Sequence, residues 1–157
     1  PGTGRMRVRT HMPADAWTTV AGVSGCAMLI DRRVVDRIGL LPEEYFFSFE
    51  DLAFCDAARR AGFEVGVVRD ATAHHAGSAS IGRRPVKLYY AARNHLRFAD
   101  SIPARSLLHR WRRQCLVAGW NLAYALRSRD GRWWQRIGAV ARGILDHARG
   151  RYGPAGS

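Results

Sequence analysis

Tyr45-Phe46-Phe47-Ser48-Phe49-Glu50-Asp51 sets two adjacent carboxylates directly behind an aromatic run. The rings are drawn into a core, so the acids that follow them are delivered to a fixed place. Glu50 to Ala61 then reads as a helix with Leu52, Phe54, Cys55 and Ala58 on its apolar face, and Gly62 ends it. Acids at a helix N-terminus are commonly no more than capping groups, because the free N–H groups and the dipole favour negative charge there. A carboxylate held at the edge of an α/β sheet, where ligands of such folds bind, can also act as a general base on a hydroxyl. The aromatic approach favours this second reading for Glu50 and Asp51.

Upstream, Pro1 to Ala16 carries Gly, Pro, Thr and Arg without a period and reads as a loop or severed connection. Thr18 to Ile30 is apolar, and Ala27-Met28-Leu29-Ile30 predicts a buried strand. Gly22 and Gly25 before it predict close backbone approach. Asp31 is placed to cap a short helix through Ile38, closed by Gly39. Leu40 to Phe49 reads as a loop containing Pro42.

Downstream, Phe63 to Val68 alternates like a strand, and Asp70 to His75 is a second extended segment. After Pro85 a helix runs to about Ala99, with Leu88, Ala92, Leu96 and Ala99 on one side. Ala104 to Arg127 and Arg132 to Arg149 are helical stretches split by Ser128-Arg129-Asp130-Gly131. Strands mixed with helices in front and helices alone behind predict an α/β part followed by a helical extension. The expected divisions are a connection over 1–16, an α/β half over 17–100 and helices over 101–157.

The chain has 157 residues, 25 of them basic and 13 acidic, for a net charge of +12. All the basic residues except Lys87 are arginines. Such a balance suits phosphate-bearing partners, whether nucleic acid, anionic lipid headgroups or nucleotide diphosphates, and does not choose among them. Cys26, Cys55 and Cys115 are widely spaced and odd in number, which argues against a disulfide framework and for a reducing cytosol. No apolar run is long enough to span a bilayer, and no signal-peptide pattern opens the chain. A start at Pro1 predicts a cut or incomplete N-terminus.

Three further clusters could carry chemistry. His74 and His75 end an extended segment, so one faces inward and one outward. The loop that follows, Ala76-Gly77-Ser78-Ala79-Ser80, offers hydroxyls and N–H groups suited to phosphate. Arg93-Asn94 sits mid-helix beside Tyr89 and Tyr90 and, taken alone, reads as a solvated face. Arg110-Trp111-Arg112-Arg113 and Arg132-Trp133-Trp134-Gln135-Arg136 interleave aromatics with arginines. That pattern suits a membrane interface or nucleic acid, and equally a solvated helix face.

In this order the segments resemble the C-terminal half of the family 2 glycosyltransferases, particularly rhamnosyltransferase-like and galactofuranosyltransferase-like members. The matching residues are Gly25-x-x-Met28-Leu29-Ile30, Ile38-Gly39-Leu40-Leu41-Pro42-Glu43-Glu44-Tyr45-Phe46, Phe49-Glu50-Asp51-Leu52, Cys55 and Arg59-Arg60-Ala61-Gly62-Phe63. They continue with His74-His75-Ala76-Gly77-Ser78-Ala79-Ser80, Tyr89-Tyr90 and Arg93-Asn94, and Gly143-Ile144-Leu145-Asp146 resembles the family's C-termini. The resemblance implies a partial GT-A-type fold, the acceptor-side half, followed by the helical extension.

It further implies an inverting transfer from a nucleotide-diphosphate sugar to a glycan or lipid-linked acceptor in cell-envelope polysaccharide synthesis. Asp51 would be the base and Glu50 would position acceptor or base. Phe49, Arg93 and Asn94 would contact the acceptor. His75, or else His74, with Ser78 and Ser80, would face the diphosphate or a divalent metal, Mg²⁺ or Mn²⁺. The tryptophan-bearing tail would rest on the cytoplasmic face of a membrane. Two departures stand out. Ala53 occupies a position where relatives often carry a further acid, and the family's Asp-x-Asp metal motif is absent from the chain. The expectation is therefore a partial chain, inactive by itself for want of the nucleotide-binding half. The competing expectations are a small basic nucleic-acid-binding module, for which no recognised motif is present, and a non-catalytic docking domain.

Overall fold

A computed structural model describes residues 15–74, 84–127 and 132–155. Among these the regular structure is five α-helices and one two-stranded antiparallel sheet. The described residues separate into two compact units, one built from 15–43 and 50–74, the other from 44–49, 84–127 and 132–155.

In the first unit, β1 (Trp17–Thr19) pairs with β2 (Gly66–Val68) in the register Trp17 to Val68, Thr18 to Val67 and Thr19 to Gly66. The ladder continues past both ends, with Val20 N–H on Val65 O at 2.9 Å and Arg69 N–H on Ala16 O at 3.0 Å. Helix α1 (Arg32–Ile38) begins as predicted, the Asp31 carboxylate accepting from Arg33 N–H at 2.8 Å, and ends at Gly39 with φ of 85°. Helix α2 (Glu50–Arg60) closes on a Schellman arrangement: Gly62 N–H reaches Arg59 O and Phe63 N–H reaches Ala58 O. Gly62 supplies the left-handed φ of 92° that this turn requires. Val34, Phe54 and Ala58 form the buried centre, covered by Met28, Ile30, Ile38, Leu41, Phe63 and Val65.

The strand expected over Ala27–Ile30 is absent. Gly25–Ala27 is a short 3-10 turn closed by Ser24, whose side chain accepts from Cys26 N–H, and irregular chain follows. Met28 and Ile30 reach the core while Leu29 is 100% exposed. The apolar period is thus satisfied by packing against α1 and α2, with no neighbouring strand to supply a ladder. The segment expected to be extended from Asp70 is likewise a turn, Ala71 N–H on Val68 O at 3.3 Å, running into exposed irregular chain.

In the second unit, α3 (Pro85–Ser101), α4 (Leu107–Leu126) and α5 (Trp133–Ala148) pack on one another. The predicted face of α3 is the buried one. Leu88 and Ala92 meet Ala125 and Val140, while Leu96 and Ala99 meet Val117. Gly143 lets α5 approach closely, since a Cβ there would lie 2.4 Å from the main-chain oxygen of Tyr89.

The arginine-tryptophan stretches divide by face. Arg113 is buried and donates to Ile102 O at 2.7 Å, just beyond the C-terminus of α3. Arg136 is buried and donates to Ala125 O at 3.0 Å, in the last turn of α4. Both guanidinium groups satisfy carbonyls that a helix end leaves unpaired, so neither serves the membrane, nucleic-acid or solvated face read from the sequence. Trp111, Trp133 and Trp134 stay exposed.

Candidate active site

Glu50 and Asp51 occupy the first turn of α2. The Asp51 carboxylate is fixed by two main-chain donors. Gly25 N–H reaches Oδ2 at 2.9 Å, and Leu52 N–H reaches Oδ1 at 2.8 Å. Each oxygen thus accepts one bond and keeps a lone pair for a further proton. Close approach before α2 is real at Gly22, where a Cβ would meet Leu52 Cδ2 at 2.9 Å and Cys55 Cβ at 3.5 Å. Cys55 packs beneath, its thiol pushed up in pKa chiefly by burial. Glu50 contrasts with Asp51, because its Oε2 is buried without a hydrogen-bond partner among the described residues. A buried carboxylate oxygen left unpaired is costly, and such atoms call for a functional account.

The aromatic loop belongs to the other unit and is organised by α3. Asn94 Nδ2 lies 2.7 Å from Tyr45 O, 2.8 Å from Phe47 O and 2.9 Å from Ser48 O. Arg93 adds a bond to Tyr45 O at 3.3 Å and another to Gly153 O at 2.8 Å. Arg93 and Asn94 are 1% and 0% exposed, so the solvated face read from the sequence is corrected: their donors serve main-chain carbonyls. The reason is the loop's own shape. Phe46, Ser48 and Phe49 have φ of 58°, 72° and 75°, so successive carbonyls turn toward α3 and need donors there.

Phe49 is buried, its ring stacked on His95 at 4.9 Å and near Phe98 at 5.9 Å. Tyr45 is also buried, and burial pushes its phenol up to about 12. Residues 151–155 bind the same loop: Gly153 N–H reaches Glu44 O at 2.9 Å, and the Arg97 guanidinium lies 4.0 Å from the Tyr152 ring centre.

Of the residues named from the sequence, the fold brings Phe49, Arg93 and Asn94 into one cluster and keeps Glu50 beside Asp51. His74 is exposed in the irregular chain after β2. His75, Ser78 and Ser80 lie outside the described residues. Among the described residues no three His, Cys, Asp or Glu side chains come together. Two features escaped the sequence reading. The Gly25 amide as the donor to Asp51 had a faint signal in the glycine itself. The left-handed backbone at Phe46, Ser48 and Phe49 had none, because these residues disfavour it.

The chain is similar to the low-salt glycan biosynthesis hexosyltransferase Agl10 of Haloferax volcanii, at 28% identity over 106 residues. The match takes in 65% of this chain and 34% of the relative, so the chain spans about a third of that protein's length. No protein-family model matches the chain, and no solved structure matches it.

Proposed function

We propose that this chain is the acceptor-side part of an inverting family 2 hexosyltransferase with a GT-A-type fold, which moves a sugar from a nucleotide-diphosphate donor to a glycan or lipid-linked acceptor. The similarity to a glycan-building hexosyltransferase carries this reading. The carboxylate pair supports its location. Asp51 would take the proton from the acceptor hydroxyl on a free lone pair. The freed oxygen forms a bond to the anomeric carbon as the bond to the diphosphate breaks, the diphosphate leaving with the electron pair and the configuration inverting. Glu50, beside Asp51 in the first turn of α2, is assigned to positioning the acceptor or the base. Phe49, Arg93 and Asn94 act on the acceptor side through the loop they hold. His75 or His74, with Ser78 and Ser80, is assigned to the diphosphate or to a Mg²⁺ or Mn²⁺ ion of the complete enzyme.

We place the enzyme peripherally on the cytoplasmic face of the cell-envelope membrane, working on envelope polysaccharide. No described helix is long and apolar enough to cross a membrane. The exposed Leu107, Leu108 and Trp111 of α4, with Trp133 and Trp134 of α5, supply the kind of side chains that enter an interface. A nucleic-acid module is disfavoured, since Arg93, Arg113 and Arg136 are buried and spent on main-chain oxygens.

Incubating the complete gene product with uridine- and thymidine-diphosphate hexoses and a lipid-linked glycan tests the reading. The expected product carries the transferred sugar with the anomeric configuration opposite to that in the donor. A product of retained configuration would sink the inverting mechanism, and the absence of transfer from any donor would sink the transferase.

A further inference from the structure

Phe46 and Phe47 are the two rings of the aromatic run that the fold does not bury, at 57% and 38% exposure. Burying a phenylalanine side chain stabilises a protein by about 1.5–3 kcal/mol, so displaying two side by side forgoes a large contribution. The loop also pays in backbone strain. Left-handed φ at a residue other than glycine costs on the order of 1–3 kcal/mol, and Phe46, Ser48 and Phe49 all adopt it. Such strain persists only where the surroundings over-determine it. Here Asn94 and Arg93 hold the carbonyls, and Gly153 holds Glu44.

Beneath the two rings lies Tyr90, buried, with ring centres 5.4 Å from Phe46 and 5.9 Å from Phe47. Its hydroxyl accepts from Ala155 N–H at 2.7 Å, which fixes the support. Lys87 stands over Phe47, its ammonium 5.7 Å from the ring centre. The result is an apolar surface with a cation held over the Phe47 ring.

We propose that Phe46 and Phe47 form a stacking platform for a pyranose ring of the acceptor, with Lys87, over the Phe47 ring, donating to a hydroxyl or carboxylate of the sugar. The proposal rests on the transferase reading and adds a subsite to it. A pyranose presents a face of C–H groups ringed by hydroxyls, which matches exposed aromatic rings with a donor close by. Aromatic side chains with few rotatable bonds lose little entropy on binding.

The test is saturation-transfer NMR of the protein with methyl glucosides, galactosides and mannosides, one at a time. At least one hexoside should receive saturation on its ring protons. The signal should fall about tenfold or more in Phe46→Ala/Phe47→Ala and persist in Phe46→Trp, since stacking pairs contribute up to about tenfold each. Circular dichroism of each variant should match the parent, which separates lost binding from lost folding. In the complete transferase the double alanine variant should raise the acceptor KM while leaving donor KM and kcat unchanged. Transfer with an unchanged acceptor KM in that variant would overturn the platform and leave the transferase standing. Hexoside saturation lost with the rings in a protein that transfers no sugar would support the platform and sink the transferase. Loss of vesicle binding, with hexoside signals intact, would overturn the platform in favour of a lipid contact.

Discussion

The Gly25 amide donates to Asp51 Oδ2 at 2.9 Å, joining residues 26 positions apart. A main-chain donor has no rotamer to lose, so the orientation of this carboxylate is set by the fold of the first unit. With Leu52 N–H on the other oxygen, each carboxylate oxygen accepts one main-chain bond and keeps a further lone pair.

Asn94 is the residue on which the aromatic loop depends most. Asn94→Ala removes both amide hydrogens that face Tyr45, Phe47 and Ser48 carbonyls, and unsatisfied buried acceptors cost about 1–3 kcal/mol. A urea melt should show a loss of about 2 kcal/mol or more. Asn94→Asp, which sets acceptor against acceptor, should be no better. A loss within about 0.5 kcal/mol, the scale of an ordinary surface change, would contradict this account of the loop.

Two glycines on α5 should respond oppositely to alanine. At Gly143 the new methyl group would strike the α3 backbone, and overpacking of this kind costs about 1–3 kcal/mol. At Gly138 nothing lies within 4 Å, so alanine should stabilise the helix by about 0.5–1 kcal/mol through propensity. Thermal melts of the two variants decide the matter, and shifts of the same sign would refute the close α3–α5 approach.

Much of this molecule is legible in its sequence, and the reasons are local. Asp31 and Gly39 bound α1, Gly62 ends α2, and Leu88, Ala92, Leu96 and Ala99 mark the inner face of α3. Periodicity misleads at Ala27–Ile30, where apolar residues pack on helices and no strand partner exists. Charge misleads at Arg93, Arg113 and Arg136, because a guanidinium aimed at a carbonyl reads in sequence like one in water. The carboxylate pair was visible in Glu50-Asp51, whereas its Gly25 donor depends on a contact that no local pattern encodes.

His147 makes the helical unit sensitive to pH. Burial lowers its pKa below the ordinary 6.5, outweighing the opposing pull of Asp100, whose carboxylate lies 3.4 Å from Nε2; Arg97 and Arg110 lower it further. Tyr152 OH sits 2.9 Å from Nδ1. The unfolded chain therefore binds the proton more readily, and stability falls as pH drops below 6.5 toward the folded value. Melting temperature should decline over that window and flatten in His147→Gln. A slope unchanged by the substitution would assign the effect to other groups.

The exposed tryptophans give a test of membrane contact. Vesicles containing anionic lipid should carry the protein upward in a flotation gradient at physiological salt, and Trp111→Ser/Trp133→Ser should reduce the floated fraction several-fold, as expected when apolar insertion contributes. Flotation absent in the parent protein, or equal in the variant, would remove these helices from any interface.

The central claim is that Asp51 is the base. Its most direct test is Asp51→Asn in the complete gene product, with turnover and donor binding measured side by side. Loss of a general base should lower kcat by about 10²–10⁴-fold while donor affinity stays near that of the parent. Near-normal turnover in Asp51→Asn would contradict the claim and place the base elsewhere.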